Sequence, residues 1–316
     1  MKTLVCGRFR LPLGQRPLIM GILNVTPDSF SDGGLFLNPR RALARALQMQ
    51  EQGADLIDVG GESTRPGARP VPAQEETRRI LPVIERLADR LRIPISVDTA
   101  KAAVARQAIQ AGACLVNDVT GLRDLRMPEV VAQAEVPVIL MHTRGTARTM
   151  RRLARYRRLI PEILVELKVS VRRALAAGIR RDRILIDPGI GFAKGPQDNL
   201  RILQNLRAFK QLGFPVVVGP SRKSFIGHVL GVPVEGRLFG TAAAVTWVVA
   251  QGVEIVRVHD VAAMRQVADL TRAILAVRPP SLALGTSSPV EGRTGVSCCS
   301  SSSILFCCFS ISSFWA

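Results

Sequence analysis

The feature that most constrains the fold is an alternation, repeated eight times, of short apolar runs and longer amphipathic stretches. Apolar runs without a polar face are typical of strands buried on both sides, as in parallel sheets. The predicted strands cover residues 18–24, 56–60, 94–98, 115–118, 137–142, 184–187, 215–219 and 254–259. The predicted helices cover residues 39–53, 74–91, 101–112, 128–134, 161–177, 198–212, 237–251 and 261–277.

This alternation predicts an α/β protein with the fold of a (β/α)8 TIM barrel, in one domain over residues 18–278. The alternative is a doubly wound sheet, which usually carries a glycine-rich phosphate turn after its first strand. No such turn follows residues 18–24, so the barrel is favoured. Residues 1–17 form an N-terminal lead-in for which no element is predicted.

The end of the chain has a different composition. Periodicity stops after residues 279–280, and residues 294–316 carry no charge and are rich in Ser. We predict a disordered, Ser/Cys-rich tail over 279–316, and its Ser content and short apolar stretches argue against a membrane span. Palmitoylated cysteines or a weak membrane anchor are the alternative. The first 17 residues contain no apolar run and no cleavage signal, so we expect a cytoplasmic protein without a membrane partner.

The charge of the chain is unevenly distributed. Lys and Arg number 43 against 25 Asp and Glu, and residues 144–183 alone hold 13 basic and 3 acidic side chains. A basic surface attracts anions of many kinds, including phosphorylated metabolites and nucleic acids. Aromatic residues make up only 4 %, which disfavours recognition of stacked bases. We therefore expect a solvated face and no nucleic-acid partner.

Polar side chains stand at the carboxyl ends of all eight predicted strands. In a barrel these ends meet at one rim, where active sites lie. Six strands end in polar residues, namely Asn24, Asp98, Asn117–Asp118, His142, Asp187 and His259. The second and seventh strands lead into Glu62–Arg65 and Ser221–Ser224.

Three of these positions suit recognition of a planar heterocycle. Asp98, Asn117 and Asp187 follow apolar strands, and a buried carboxylate needs a partner. The N–H and NH₂ edge of a pterin or purine would satisfy one of them through two hydrogen bonds. A pair of glycosidase-like carboxylates is the alternative, but aromatic platforms for a sugar are absent nearby.

Cationic residues predict a separate anion site. Arg257 and His259 alternate on the last strand and face the same side, next to Asn24 on the first strand. Arg65 suits an anionic leaving group or a carboxylate. Lys223 could contact a ring carbonyl or nitrogen, whereas Arg222 could form a structural ion pair. His142 is interpreted as a structural residue.

The sequence blocks around these residues resemble dihydropteroate synthases, the folate-biosynthesis family that sulfonamides target. The resemblance covers residues 18–277 in the expected order. Its blocks are GILNVTPDSFSDGG (21–34), DVGGESTRPGA (58–68), SVDT (96–99), NDVTG (117–121), MHTRGTARTM (141–150), DPGIGFAKGPQDNL (187–200), GPSRKSFIG (219–227) and RVHDV (257–261).

The resemblance implies a role for each matching residue. The pterin ring would be held by Asp98, Asn117, Asp187 and Lys223. The diphosphate would be held by Asn24, Arg65, Arg257 and His259, with Mg²⁺ as the cofactor at Asn24. The pocket for 4-aminobenzoate would be lined by Thr64, Pro66, Phe192 and Ser221. The loops 25–37 and 65–73 would become ordered when substrate binds.

The implied activity is that of a transferase. It would condense 7,8-dihydropterin-6-ylmethyl diphosphate with 4-aminobenzoate to give 7,8-dihydropteroate and diphosphate, and the family is typically homodimeric. A non-catalytic pterin-binding paralogue and a pterin-dependent methyltransferase are the alternatives. Ala193 and Gly195 depart from the Gly and Thr that the family often has there.

Overall fold

The computed structural model describes residues 2–26 and 38–277. Ten helices and ten strands occupy the described residues. The strands are β1 (Lys2–Cys6), β2 (Phe9–Leu13), β3 (Leu18–Asn24), β4 (Leu56–Gly60), β5 (Ile95–Asp98), β6 (Leu115–Asp118), β7 (Val138–Met141), β8 (Ile184–Asp187), β9 (Val217–Val218) and β10 (Ile255–Val258). The helices are α1 (Pro39–Glu51), α2 (Ala73–Arg90), α3 (Ala102–Gln110), α4 (Met127–Ala134), α5 (Leu159–Ala176), α6 (Pro196–Gln204), α7 (Leu206–Lys210), α8 (Ser224–Leu230), α9 (Leu238–Ala250) and α10 (Val261–Ala276).

Eight parallel strands form the barrel, in the order β8-β7-β6-β5-β4-β3-β10-β9. A parallel bridge between Ile186 and Val216 joins the first of these strands to the last, so the ring is closed. The predicted TIM barrel is confirmed. Each predicted strand is present, although β9 is shorter than the interval 215–219.

Local sequence explains where several helices begin. Asn38 caps α1, because its side-chain oxygen accepts the Arg40 amide at 2.9 Å, and Pro39 supplies a helical φ at the first position. In α6, Pro196 has the same place, and the Asp198 carboxylate accepts the Gly195 amide at 3.0 Å. These signals place each helix start directly after a loop that leaves the barrel rim.

Three features differ from the predicted elements. The interval 198–212 is not one helix but two, which are separated at Asn205, where the backbone leaves the helical conformation (φ −112°, ψ 26°) and the side chain donates to the Arg201 carbonyl at 2.8 Å. The extra helix α8 lies before α9 and was not predicted. The lead-in 1–17 contains a hairpin of β1 and β2 around a turn at Gly7, where φ is +56°.

The hairpin fills one end of the barrel. Leu4, Cys6 and Leu13 are buried against inward-facing residues of the barrel strands. Those barrel residues are Leu18, Met20, Leu56, Leu115, Ile139, Leu185, Val217 and Ile255. A larger apolar layer between strands and helices surrounds this inner cluster. The hairpin therefore gives the barrel a dry interior at the end opposite the polar rim.

The predicted tail at 279–316 lies outside the described residues, as do residues 27–37 of the predicted loop 25–37. No helix among the residues that the structure describes has both the length and the apolar character needed to cross a lipid bilayer.

Candidate active site

A cavity of about 430 Å³ opens at the carboxyl ends of the barrel strands. Loops after β3, β4, β8 and β9 contribute to its walls, together with the ends of β5 and β10. Most of the predicted site residues line this cavity, namely Asn24, Thr64, Arg65, Pro66, Asp98, Phe192, Ser221, Lys223, Arg257 and His259. The other two, Asn117 and Asp187, are buried at the ends of β6 and β8.

An ion-pair cluster lies at the bottom of the cavity. Arg257 donates from Nε to Asp58 at 2.6 Å and from Nη2 to Asp98 at 2.7 Å. Asn117 also donates to Asp58, at 3.0 Å. Asp58 is not among the site residues predicted from the sequence, although a carboxylate inside the apolar strand β4 indicates such a role. Asp58 positions Arg257 and Asn117 at the centre of the barrel mouth.

Two carboxylates at the bottom of the cavity lie in an environment that disfavours their charged form. Burial raises the pKa of Asp187 to about 6, against an opposing hydrogen bond from the Gly189 amide. Burial also raises the pKa of Asp98, which Arg257 opposes, and Asp58 adds like charge. Oδ1 of Asp98 is buried and has no hydrogen-bond partner within the described part of the chain. Such an atom would be satisfied by an N–H donor on a ligand.

The cavity also has a cationic wall, to which Arg65, Lys223 and Arg257 contribute. Burial lowers the pKa of Lys223 to about 8, and nearby Arg257 acts in the same direction. The pKa of His259 falls to about 3, through burial and then through the Arg257 guanidinium. His259 is therefore neutral at pH 7, and its Nδ1 lies 3.0 Å from Ser221 Oγ. This surplus of positive charge favours an anionic ligand.

Arg222 and Lys223, which are adjacent in the loop after β9, have different partners. Arg222 forms a two-point ion pair with Asp260, with distances of 2.9 and 2.6 Å, which confirms the structural interpretation. Phe192 also lines the cavity, and the Lys223 ammonium stands 4.2 Å from its ring centroid. Lys223 thus contacts an aromatic wall and is near two carboxylates.

The loop that carries Thr64, Arg65 and Pro66 is anchored at several points. Glu62 accepts the Val71 amide at 3.2 Å, and the Gly67 amide donates to the Ala147 carbonyl at 2.8 Å. Lys101 joins Glu62 to the buried Glu76 through a pair of ion contacts. These contacts tie the loop to α2 and to the residues that follow β5 and β7. That it becomes further ordered on substrate binding stays a prediction.

The basic interval 144–183 is partly structural. Arg144 pairs with Glu162 and Glu166 of α5, and its guanidinium lies over the Tyr156 ring at 4.1 Å. Arg173 donates to the Leu122 carbonyl at 2.7 Å. The remaining charge includes exposed arginines on the stretch before α5, namely Arg148, Arg151, Arg152, Arg155, Arg157 and Arg158.

One side chain of the cavity suits a metal ion together with an anionic ligand. The residues described contain no group of three or more His, Cys, Asp or Glu side chains placed to hold an ion. Asn24 contributes a neutral side-chain oxygen beside the cationic wall. Mg²⁺ is commonly held by one or two protein oxygens together with substrate phosphates, and Asn24 fits that pattern.

The barrel and its cavity define a class of protein: a barrel enzyme whose mouth combines buried carboxylates with cationic side chains. The model of the pterin binding enzyme family matches residues 20–259, and the chain belongs to that family.

Individual relatives agree with this family. The dihydropteroate synthase of Bacillus subtilis (strain 168) is 47 % identical over 262 residues, which are 83 % of this chain and 90 % of that protein. The Yersinia pestis dihydropteroate synthase, solved with a sulfonamide drug, superimposes with a TM-score of 0.85 at 41 % identity, covering 87 % of this chain and 100 % of that one. The Xanthomonas albilineans dihydropteroate synthase, solved with 4-aminobenzoic acid, has a TM-score of 0.82 at 44 % identity, covering 88 % and 99 %.

Proposed function

We propose that this chain is a dihydropteroate synthase, which condenses 7,8-dihydropterin-6-ylmethyl diphosphate with 4-aminobenzoate. The observation that carries the proposal is the composition of the cavity. The carboxylates of Asp98 and Asp187 are buried, and the positive charges of Lys223 and Arg257 act on both of them. These carboxylates lie next to the cationic wall of the cavity. Membership of the family and its synthase relatives support this activity.

The pterin ring is assigned to the floor of the cavity. The ionised carboxylates of Asp98 and Asp187 accept the N–H donors of the ring, and Asn117 can both donate and accept. Lys223 donates to a ring nitrogen or carbonyl. Because Asp98 Oδ1 is buried without a partner in the described structure, the ring would remove an existing energetic penalty.

The diphosphate is assigned to Asn24, Arg65, Arg257 and His259. Mg²⁺, held through Asn24 and the diphosphate, would reduce the charge of the leaving group. When the C–O bond breaks, diphosphate takes both electrons, and the positive charge on the methylene carbon is delocalised into the dihydropterin. The two arginines stabilise the charge that develops on the departing oxygen.

The 4-aminobenzoate is assigned to Thr64, Pro66, Phe192 and Ser221. Its amine uses its lone pair to form the new C–N bond and then loses one proton to solvent or to diphosphate. An aromatic amine is already unprotonated at pH 7, so the reaction requires no strong general base.

A homodimer is also part of the proposal. Helices α9 and α10 pack side by side and carry large apolar side chains that are exposed, including Phe239 (83 %), Trp247, Leu270 and Ile274. Exposed apolar groups in this number favour a protein interface. The chain should elute as a dimer, and Leu270→Glu should shift it to a monomer. We further propose a cytoplasmic location, since the described cysteines, Cys6 and Cys114, are free thiols.

The deciding experiment measures diphosphate release from the pterin diphosphate with Mg²⁺, with and without 4-aminobenzoate. Release should depend on 4-aminobenzoate and fall sharply in Asp187→Asn and Lys223→Ala. The matched controls are Asp182→Asn and Lys168→Ala, which change exposed residues of the same types. A sulfonamide should compete with 4-aminobenzoate. Folded protein that binds pterin but releases no diphosphate would instead identify a non-catalytic paralogue.

A further inference from the structure

A buried lysine lies directly behind the wall formed by Phe192. Lys194 is 9 % exposed, and its Nζ donates to the Phe192 carbonyl at 2.7 Å. The same Nζ lies 3.0 Å from His142 Nδ1 and 3.3 Å from the His142 carbonyl. Neither Lys194 nor His142 is among the residues that line the cavity.

The contacts of His142 define the direction of these hydrogen bonds. Its Nε2 is 3.0 Å from Glu166, whose carboxylate also pairs with Arg144. Burial lowers the pKa of His142 to about 4, so the ring is neutral at pH 7. A neutral ring that donates from Nε2 to Glu166 presents Nδ1 as an acceptor, and Lys194 supplies the donor. Burial also lowers the pKa of Lys194, to about 7.

The loop between β8 and α6 is held in an unusual backbone shape. Gly189 and Gly191 have φ of +72° and +82°, and a Cβ on Gly189 would lie 2.0 Å from the His142 carbonyl oxygen. Ala193 also adopts a left-handed φ, +49°, although it carries a side chain. Such a conformation is strained for a residue with a side chain and persists only where surrounding contacts enforce it.

Two side chains hold the loop in this conformation. The Tyr156 hydroxyl donates to the Ala193 carbonyl at 2.9 Å, and Lys194 donates to the Phe192 carbonyl. The Phe192 ring in turn contacts the Lys223 ammonium. A loss of the Lys194 contact would therefore release the aromatic wall on the side where 4-aminobenzoate is assigned.

We infer that Lys194, oriented by His142 and Glu166, is a positioning residue that sets the Phe192 wall of the 4-aminobenzoate pocket. This inference rests on the proposed function, because it assumes the assignment of that pocket. It predicts that removal of the Lys194 ammonium weakens 4-aminobenzoate binding selectively. Three of the four residues assigned to the pterin ring, Asp98, Asn117 and Lys223, lie on other elements than this loop, so the affinity for pterin should be largely kept.

The first test is Lys194→Met, which keeps the length of the side chain and removes its donor. The KM for 4-aminobenzoate should rise about tenfold, whereas kcat at saturation should stay within about threefold, since positioned groups act mainly on the substrate they support. The Kd for pterin diphosphate should stay within about twofold of the parent value. Lys210→Met is the matched control, because Lys210 also donates to a loop carbonyl and pairs with an acid, Glu254, away from the cavity.

A second pair of variants tests the orientation by His142. In His142→Asn, the side-chain oxygen can replace Nδ1 as the acceptor for Lys194, so the KM for 4-aminobenzoate should stay near the parent value. In His142→Leu, no acceptor remains, and the KM should rise as in Lys194→Met. A role in stability alone would lower Tm in both variants without separating their KM values.

The outcomes are distinguishable. A parent protein that releases no diphosphate overturns the proposed function. An active parent with an unchanged KM in Lys194→Met and His142→Leu overturns this inference alone. Equal losses for both substrates would also overturn it, because they would indicate a general collapse of the barrel mouth. If Lys194→Met does not fold, the comparison of His142→Asn with His142→Leu decides the question.

Discussion

The two ends of the barrel interior are built on opposite principles. The end closed by the hairpin is apolar: Leu4, Leu18 and Leu185 are almost fully buried there. The other end buries Asp58, Asp98 and Asp187 around one guanidinium, that of Arg257. Apolar burial stabilises the fold, whereas burial of charge costs free energy unless each charge is paired. Stability and chemistry are thus separated along the axis of one barrel.

The comparison implies that substitutions at the two ends should have different consequences. Those at the polar end should reduce activity with little loss of stability. Those at the apolar end should reduce stability and leave activity nearly unchanged in the protein that remains folded.

The largest effect is expected for Asp98→Asn. Activity should fall about 100-fold or more, because a charge-assisted hydrogen bond to the pterin is lost. Tm should stay the same or rise, since the substitution removes a buried, partly unsatisfied charge and leaves Arg257 paired with Asp58. Steady-state kinetics and thermal unfolding check both parts. Asp89→Asn, on the exposed face of α2, is the control. A large fall in Tm would contradict the comparison.

The second effect concerns the apolar end. Leu4→Ala should lower the free energy of unfolding by about 2–5 kcal/mol, because Leu4 is 1 % exposed and its removal leaves a cavity. Urea unfolding measures the loss, and kcat/KM should remain within about twofold, since Leu4 touches no ligand. Leu125→Ala, at a position 84 % exposed, should change neither quantity. A strong loss of activity in folded Leu4→Ala would show that the two ends are coupled.

The third effect is a pH dependence at the polar end. Asp187 accepts pterin donors in its ionised form, and its pKa is raised by burial to about 6. The affinity for pterin should therefore increase as pH rises through about 6, by up to about tenfold per pH unit below the pKa. Calorimetry between pH 5 and pH 7 measures this trend. In Asp187→Asn the Asp187 part of the trend should vanish, and a full slope in that variant would assign the titration elsewhere.

The same pKa has the opposite consequence for stability. The carboxyl of Asp187 binds its proton more tightly in the folded than in the unfolded chain, whose Asp pKa is about 4. Its contribution to stability is thus fully present below that value and is lost as pH rises through about 6. Urea unfolding from pH 4 to pH 8 should show a smaller decline in Asp187→Asn than in the parent.

The smallest effect is expected on the outer surface, which belongs to neither end. Arg151 and Arg152 are exposed on the stretch before α5. Their joint replacement by Gln should change stability by less than about 0.5 kcal/mol each. It should lower kcat/KM less than about threefold at low salt, and this difference should vanish at high salt because screening removes steering of anionic substrates. A larger effect that persists at high salt would indicate a direct contact with substrate.

The barrel and most of its rim follow from the sequence alone. Continuous apolar strands such as β3 and β7 are typical of a parallel sheet covered by helices, so their alternation with amphipathic stretches leaves few architectures. Because all parallel strands of a barrel end at one rim, the gathering of Asn24, Asp98 and His259 followed from their places at strand ends.

The tertiary structure decided which partner each of these groups has. Arg257 and Asp58 lie 199 positions apart, and the strand order alone brings them within 2.6 Å. Lys194 and His142 meet because β7 and β8 are neighbours, and nothing local in either segment indicates the contact. The hairpin in residues 1–17 packs against the apolar end of the barrel, and that end exists only when the strands have closed into a ring. The periodicity of apolar residues indicates whether a segment is buried and which of its faces is covered. The ion-pair partner and the pKa of a side chain depend instead on groups that lie far away in the sequence.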